Sequence, residues 1–299
     1  MINTMSHQTL VALSRDPIPE KMVFDLKNHA LKFGASLHTV GGQISSASYF
    51  SERWDCGIHL DTGAREELRS ISSRFNVDLC FLKAGLNTPD IQVLAMDMDS
   101  TLINIECIDE IADFTGKKAA VAQITEATMR GEIKDFKESL RRRVALLEGV
   151  QADALEAVYR ERLRPNPGAA ELLAGAHARG IYTLLVSGGF TFFTEKLREK
   201  FGLKQTQANT LEIIDGKLTG KVLDDIVDGA AKAAHLDAAC LTLGCTKARA
   251  ITMGDGANDL IMMNGSGISV AYQAKPVVKE KADAAFDHVG LDAALLLIS

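Results

Sequence analysis

Paired histidines, paired cysteines and a Walker loop are all missing from this chain. Its 299 residues hold seven histidines, and none falls in a His-x-x-His or His-x-x-x-His spacing, which removes the usual frame of a zinc hydrolase. No Gly-x-x-x-x-Gly-Lys-Ser/Thr occurs, so a nucleotide-type phosphate loop is excluded. The five cysteines, Cys56, Cys80, Cys107, Cys240 and Cys245, make no Cys-x-x-Cys pair, and a chain of this size needs no disulfide staples. Reduced thiols of a cytoplasmic protein are expected. No apolar run approaches the ~20 residues of a membrane span, and no basic region followed by an apolar stretch opens the chain as an export signal would. A net charge of -6 gives no electrostatic case for nucleic acid or for an anionic membrane surface.

What is present is ordinary for a globular protein with room for two domains: 46% hydrophobic and 24% charged residues. Residues 1 to 88 read as strand (Leu10 to Leu13), helix (Pro19 to Phe33), strand (Leu37 to Phe50), strand (Trp54 to Leu60), helix (Gly63 to Phe75) and strand (Val77 to Leu82). Helical spacing puts Met22, Leu26, Ala30 and Phe33 on one face, and Ala64, Leu68, Ile71 and Phe75 on another. This β-α-β-β-α-β order predicts a small α+β, ferredoxin-like sandwich. It carries no nucleophile, metal cluster or phosphate loop, so packing or subunit pairing is its expected role, and a homodimer is expected. The turn-rich stretch Ala84 to Asp90 predicts the linker.

Beyond it, Ile91 to Met96 reads as a buried strand that runs directly into Asp97 and Asp99. Open α/β sheets bind ligands at the carboxyl ends of strands, and two carboxylates there suit attack by one and proton handling by the other. Residues 106–164 are helical in pattern throughout, more than one crossover helix requires, and predict an inserted cap. From Gly168 helices and strands alternate, which predicts a doubly wound, mainly parallel sheet. Leu211 to Ile214 and Leu218 to Val222 flank Asp215-Gly216 as a hairpin. Two further strand ends carry chemistry. Ser187-Gly188-Gly189 opens a helix and can offer a hydroxyl and amides to a phosphate. Gly254-Asp255-Gly256-Ala257-Asn258-Asp259 crowds acids that a cation would reconcile, and an all-oxygen donor set selects Mg²⁺ over zinc. Lys232, early in a helix, is the candidate fixed cation for a transferring phosphoryl group.

Those four clusters, in this order, resemble the motifs of the haloacid dehalogenase superfamily. Asn104-Ile-Glu106-Cys-Ile-Asp-Glu-Ile-Ala and Phe136-x-x-Ser-Leu-x-x-Arg143-Val further resemble its phosphoserine phosphatases. The resemblance covers Val93 to the carboxyl terminus; before it, only the element order is similar to an ACT-like domain. It implies a Rossmann-like core (89–105 and 165–299), a helical cap (106–164), and Mg²⁺-dependent hydrolysis of O-phospho-L-serine through an aspartyl phosphate, the last step of serine biosynthesis. Asp97 would be the nucleophile and Asp99 the general acid and base. Asp97, Asp255 and the Asp99 main-chain oxygen would hold Mg²⁺. Ser187, Gly188, Lys232 and Asn258 would hold the phosphate, with Asp259 supporting Lys232 and the metal waters. Glu106 would take the substrate ammonium and Arg143 its carboxylate, with Met129 and Phe136 closing over them. A zwitterion asks for one acid and one arginine fork, which agrees.

Three alternatives stay open on these residues. The Asp97 intermediate could pass its phosphoryl group to another alcohol, such as homoserine. A degenerate core could serve as a regulatory module, although no motif residue has been lost. A serine or other amino-acid effector at residues 1–88 also stays open, since that region shows no recognisable ligand loop.

Overall fold

The computed structural model describes residues 7–41, 44–45, 48–83, 86, 90–130 and 132–298, with the side chains of residues 44, 45 and 129 left outside that description. The strands are β1 (Thr9–Ser14), β2 (His38–Thr39), β3 (Ile44–Ser45), β4 (Phe50–Asp55), β5 (Asp78–Leu82), β6 (Val93–Met96), β7 (Tyr182–Phe190), β8 (Gln205–Ile214), β9 (Lys217–Leu223), β10 (Ala250–Gly254), β11 (Ile268–Tyr272) and β12 (Ala284–Phe286). They form one twelve-stranded sheet in the order β2-β4-β1-β5-β12-β11-β10-β6-β7-β8-β9, with β3 on β4. From β12 to β8 every pairing is parallel. The pairings of β1, β2, β4 and β5, and of β9 with β8, are antiparallel.

The parallel strands are apolar because both their faces are covered. All residues of β6, β10 and β11 are buried, and these three strands lie side by side at the centre of the parallel set. Asp97 and Asp255 follow the ends of β6 and β10, so neighbouring strands deliver the two acids to one edge of the sheet. The expected hairpin is β8 and β9. Asp215 at φ 51 and Gly216 at φ 74 give the paired left-handed residues of a tight reversing turn.

The amino-terminal strands take the order β2-β4-β1-β5, that of a split β-α-β sandwich, with helices Glu20–Ala30 and Thr62–Ser73 over one face. Met22, Leu26 and Leu68 pack there on Leu10, Ala12, Trp54 and Phe81. The opposite face of β1 is also buried, since Val11 and Leu13 belong to the large core that holds Leu94, Met96 and Met253. Main-chain pairing joins the two parts, with Ala284 opposite Cys80 and the Phe81 amide donating to Asp283 O at 2.7 Å. Side chains add to the seam. Asp78 Oδ2 accepts from the amides of Asp287, His288 and Val289 at 2.9–3.0 Å. Arg69 donates to the carbonyls of Lys279, Ala282 and Asp283.

Two expected strands differ from what is observed. Leu37 to Phe50 is not one strand but the two-residue β2 and β3 followed by the first residue of β4, because Gly41 at φ 77 turns the chain out of the extended region. Trp54 to Leu60 shifts back to Phe50–Asp55, and Gly57 at φ 69 ends the extension. Most of the expected linker, at 84, 85 and 87–89, lies outside the described residues.

Helices Cys107–Phe114, Lys118–Met129, Phe136–Ala145 and Asp153–Ala157, the last continuing to Arg162, build the insertion after β6. A bridge between Ile103 and Pro165 closes its base. Val121, Leu140, Val144 and Leu155 bury its apolar stripes. All five cysteines are free. Among the described residues, no helix is long and apolar enough to cross a membrane.

Candidate active site

The segment after β6 does not continue as a regular helix. Asp99 keeps an extended conformation (φ -64, ψ 135) and Ser100 sits in the left-handed region at φ 55, an uncommon place for a residue with a side chain. The kink turns Asp97 and Asp99 to different surroundings. Asp97 Oδ1 accepts from the Met98 amide at 2.7 Å and lies 2.7 Å from Lys232 Nζ. Asp99 instead meets Cys107, with which it is hydrogen-bonded, while its Oδ1 is buried with no protein partner.

Lys232 is fully buried on helix Gly229–Thr242, whose start is fixed by Asp228 accepting from the Ala231 amide at 2.9 Å. Its Nζ bridges Asp97 Oδ1 and Asp259 Oδ1, both at 2.7 Å. Burial works against this ammonium, but Asp259 and then Asp97 outweigh it and hold the group above its ordinary value. The charge is therefore permanent at neutral pH. Asp259 spends its other oxygen on the Gly256 amide at 3.1 Å. A side chain at Gly254 would run into the Asp259 carboxylate, so the glycine is needed for that approach.

Asp97, Asp255 and Asp259 place ligand oxygens within 4.8 Å of one another. Burial first, then Asp259, push the Asp97 carboxyl upward against the pull of Lys232. Burial, Asp259 and Glu106 push Asp255 up to about 6. Carboxylates this close repel one another unless a cation lies among them. The donor set is all oxygen, which fits a hard divalent ion. Asp259, read from the sequence as a supporting residue, thus has an oxygen inside the cluster, while both its oxygens are already engaged by Lys232 and Gly256.

Ser187 is fully buried inside β7, three residues before its end, and its Oγ accepts from the Gly189 amide at 2.8 Å. The Ser187–Gly189 stretch expected to open a helix is thus an irregular part of the strand, and the helix begins at Thr191. Gly189 has no room for more: a Cβ there would stand 2.7 Å from Met98 Cε and 2.9 Å from Asp99 Oδ2. A Cβ on Gly188 would lie 3.0 Å from Phe136 Cζ, so the cap aromatic rests directly over this glycine.

A cavity of about 920 Å³ joins these groups to the cap, lined by Asp97, Asp99, Glu106, Phe136, Arg143, Ser187, Gly188, Asp255, Asn258 and others. Glu106 accepts from Ser100 Oγ at 2.8 Å, and burial raises its carboxyl above the usual range. Burial lowers the Arg143 guanidinium, which Asp109, Glu106 and Asp99 partly restore. Asp99 is pushed up to about 8 by burial and then by Glu106, so near neutral pH it is a carboxylic acid with a proton to give. Of the residues singled out in the sequence, only Met129 has its side chain outside the description.

Some neighbours were given no role in the sequence reading, although Cys107 and Asp109 lie within the run from Asn104 to Ala112. Lys275 and Asp109 line the cavity, and the Lys275 amide donates to Asp255 O at 3.0 Å. Thr101 Oγ1 reaches Asp255 Oδ1 at 3.4 Å, and Cys107 contacts Asp99. Thr101 and Cys107 stand within reach of residues the motifs did name, and that adjacency was the available signal.

Residues 94–264 match the family described as haloacid dehalogenase-like hydrolase. A phosphoserine phosphatase of Polaromonas sp. is 55% identical over 217 residues, which are 71% of this chain and 92% of that relative. The unliganded structure of a probable phosphoserine phosphatase from Vibrio cholerae superposes with a TM-score of 0.78 at 33% identity, covering 97% of this chain and 86% of the other. A structure described as the phospho-aspartyl intermediate analogue of phosphoserine phosphatase gives a TM-score of 0.63 at 37% identity, over 69% of this chain and 97% of that one.

Proposed function

The chain belongs to the haloacid dehalogenase-like hydrolase family, and on that premise we propose that it hydrolyses O-phospho-L-serine to serine and phosphate through a phosphorylated Asp97. The observation that carries the substrate is the meeting in one cavity of buried Asp97 with an acid, Glu106, and a half-buried arginine, Arg143, both lining the cavity wall. An amino-acid phosphate presents an ammonium, a carboxylate and a phosphate, and these three side chains with Lys232 match all of them.

In the first half, an Asp97 oxygen attacks phosphorus and the bond from phosphorus to the serine oxygen breaks. Asp99 gives its proton to that oxygen, which a carboxyl raised to about 8 is suited to do. In the second half, the Asp99 carboxylate takes a proton from water as the water attacks phosphorus. The acyl phosphate bond breaks, and phosphate and free Asp97 result. Lys232 keeps its charge beside the equatorial oxygens, and Ser187 with the Gly188 amide holds them from the other side. Phe136 over Gly188 keeps bulk water from the acyl phosphate.

Mg²⁺ fits the oxygen donors of Asp97 and Asp255 together with the Asp99 main-chain oxygen, and would supply charge neutralisation at the phosphoryl group. To the same reading belong Asn258 at the phosphate, Met129 beside Phe136, and the division into an ACT-like domain (1–88), a core (89–105 and 165–299) and a cap (106–164). So do a cytoplasmic location, subunit pairing and an amino-acid effector at the amino-terminal domain.

The deciding experiment follows phosphate release from L-phosphoserine with Mg²⁺ and with EDTA, beside phosphothreonine and sugar phosphates, with Asp97→Asn as the blank. Mg²⁺-dependent preference for phosphoserine is expected. Activity confined to other phosphates would discard the substrate and keep the chemistry.

A further inference from the structure

Strands β7 and β8 run in register from Leu184 opposite Gln205 to Val186 opposite Gln207, and resume only at Phe190 opposite Asn209. Ser187, Gly188 and Gly189 therefore stand against the single residue Ala208. A bulge of this width re-aims the chain, and it also leaves main-chain groups that the ladder no longer satisfies. Asn209 satisfies one of them, the Gly188 carbonyl, from the side and ties it to a second element. Its Nδ2 donates to Gly188 O at 2.8 Å and its Oδ1 accepts from the Val227 amide at 2.9 Å. The residue is 2% exposed, so water does not compete for either bond. Val227 immediately precedes Asp228, the cap of the helix that carries Lys232.

We propose that Asn209 is a positioning residue of the phosphate site: its amide fastens the Ser187–Gly188 bulge to the root of the Lys232 helix and fixes the spacing of the two phosphate-holding elements. The proposal rests on the phosphatase reading above. One side chain contributes a donor to the first element and an acceptor to the second, which an apolar residue of the same shape cannot do. Loss of the clamp lets the bulge and the helix drift apart, which weakens phosphate binding while the cap groups Glu106 and Arg143 are untouched.

The test compares Asn209→Leu with the wild type, reading inhibition of phosphoserine hydrolysis by inorganic phosphate and, separately, by L-serine. A rise of roughly 10-fold in the phosphate inhibition constant is expected, the scale of a lost buried hydrogen bond, with the serine constant within about twofold. Exchange of the Val227 amide with solvent should quicken in the same variant. Should Asn209→Leu fail to fold, Asn209→Ser leaves room for water in place of the amide and carries the same comparison. Equal shifts for phosphate and serine, or unchanged phosphate inhibition in a folded variant, would overturn the proposal. A wild type inactive on phosphoserine would instead remove the functional reading, and phosphate binding by calorimetry would still report on the clamp.

Discussion

The hydroxyl of Ser100 donates to Glu106 Oε1 at 2.8 Å, tying the residue after Asp99 to the first acid of the cap. Ser100 holds a left-handed conformation at φ 55 to make that contact. Ser100→Ala keeps the strained backbone and removes the partner of Glu106. Its KM for phosphoserine should rise about 5-fold, the scale of one ordinary net hydrogen bond, with kcat nearly unchanged. Steady-state kinetics on purified protein checks this; a fall in kcat at constant KM would contradict it.

Asp97→Asn should lower kcat by roughly 10⁴-fold or more, because a nucleophile acts as part of a unit. Its circular dichroism spectrum and melting temperature should stay close to the wild type. Asp99→Asn should cost about 10²–10⁴-fold on phosphoserine. The deficit should shrink on an aryl phosphate, whose leaving phenoxide needs no proton. The comparison is made on kcat/KM, which reports the steps up to the acyl phosphate, since the later water attack is common to both substrates; an equal deficit there would argue that Asp99 does not protonate the leaving group.

Arg143→Ala should raise KM for phosphoserine by on the order of 10–100-fold, since a charge-assisted pair is lost. An aryl phosphate lacking a carboxylate should be affected far less. Parallel measurement of both substrates checks the carboxylate clamp.

At the seam between the amino-terminal strands and the core, burial raises the Asp78 carboxyl even though three amides donate to its Oδ2. Asp78→Ala strands those amides and should cost on the order of 3 kcal/mol. Asp78→Asn keeps a neutral oxygen that can accept and should cost much less. Urea denaturation midpoints of the two variants decide it.

Tyr49 donates to Asp292 Oδ1 at 2.6 Å across the same seam. Burial, then Asp292, push its phenol from 10.0 up to about 12. A group raised on folding stabilises fully below its unfolded value and loses that contribution as pH rises through the folded one. The advantage of the wild type over Tyr49→Phe should therefore be complete below pH 10 and vanish towards pH 12, as read by denaturation at fixed pH.

The parallel sheet was legible because β6 and β10 are short apolar runs that lead directly into Asp97 and Asp255, and strand ends are where such folds work; β7 instead runs past Ser187 to Phe190. The cap was legible from helical spacing. Residues 37–50 were not, because an extended run and two short strands broken at Gly41 share one hydropathy pattern. Asn209 was invisible for a different reason: it bears no reacting group, and its worth depends on a bulge that only the strand register reveals. For Asp259 the motif resemblance gave the contact with Lys232 but not its second partner. Its two oxygens divide between Lys232 and Gly256, a matter of distances rather than spacing.

Pairing of β5 with β12 also decides what a shortened chain would suffer. Without β5, the backbone donors and acceptors of β12 would face solvent along an open sheet margin, a template for another molecule's strand. A fragment starting near residue 90 would carry the complete set of reacting groups and yet be prone to self-association. The amino-terminal strands, whatever they bind, serve the rest of the chain as a selvedge that keeps its sheet from growing.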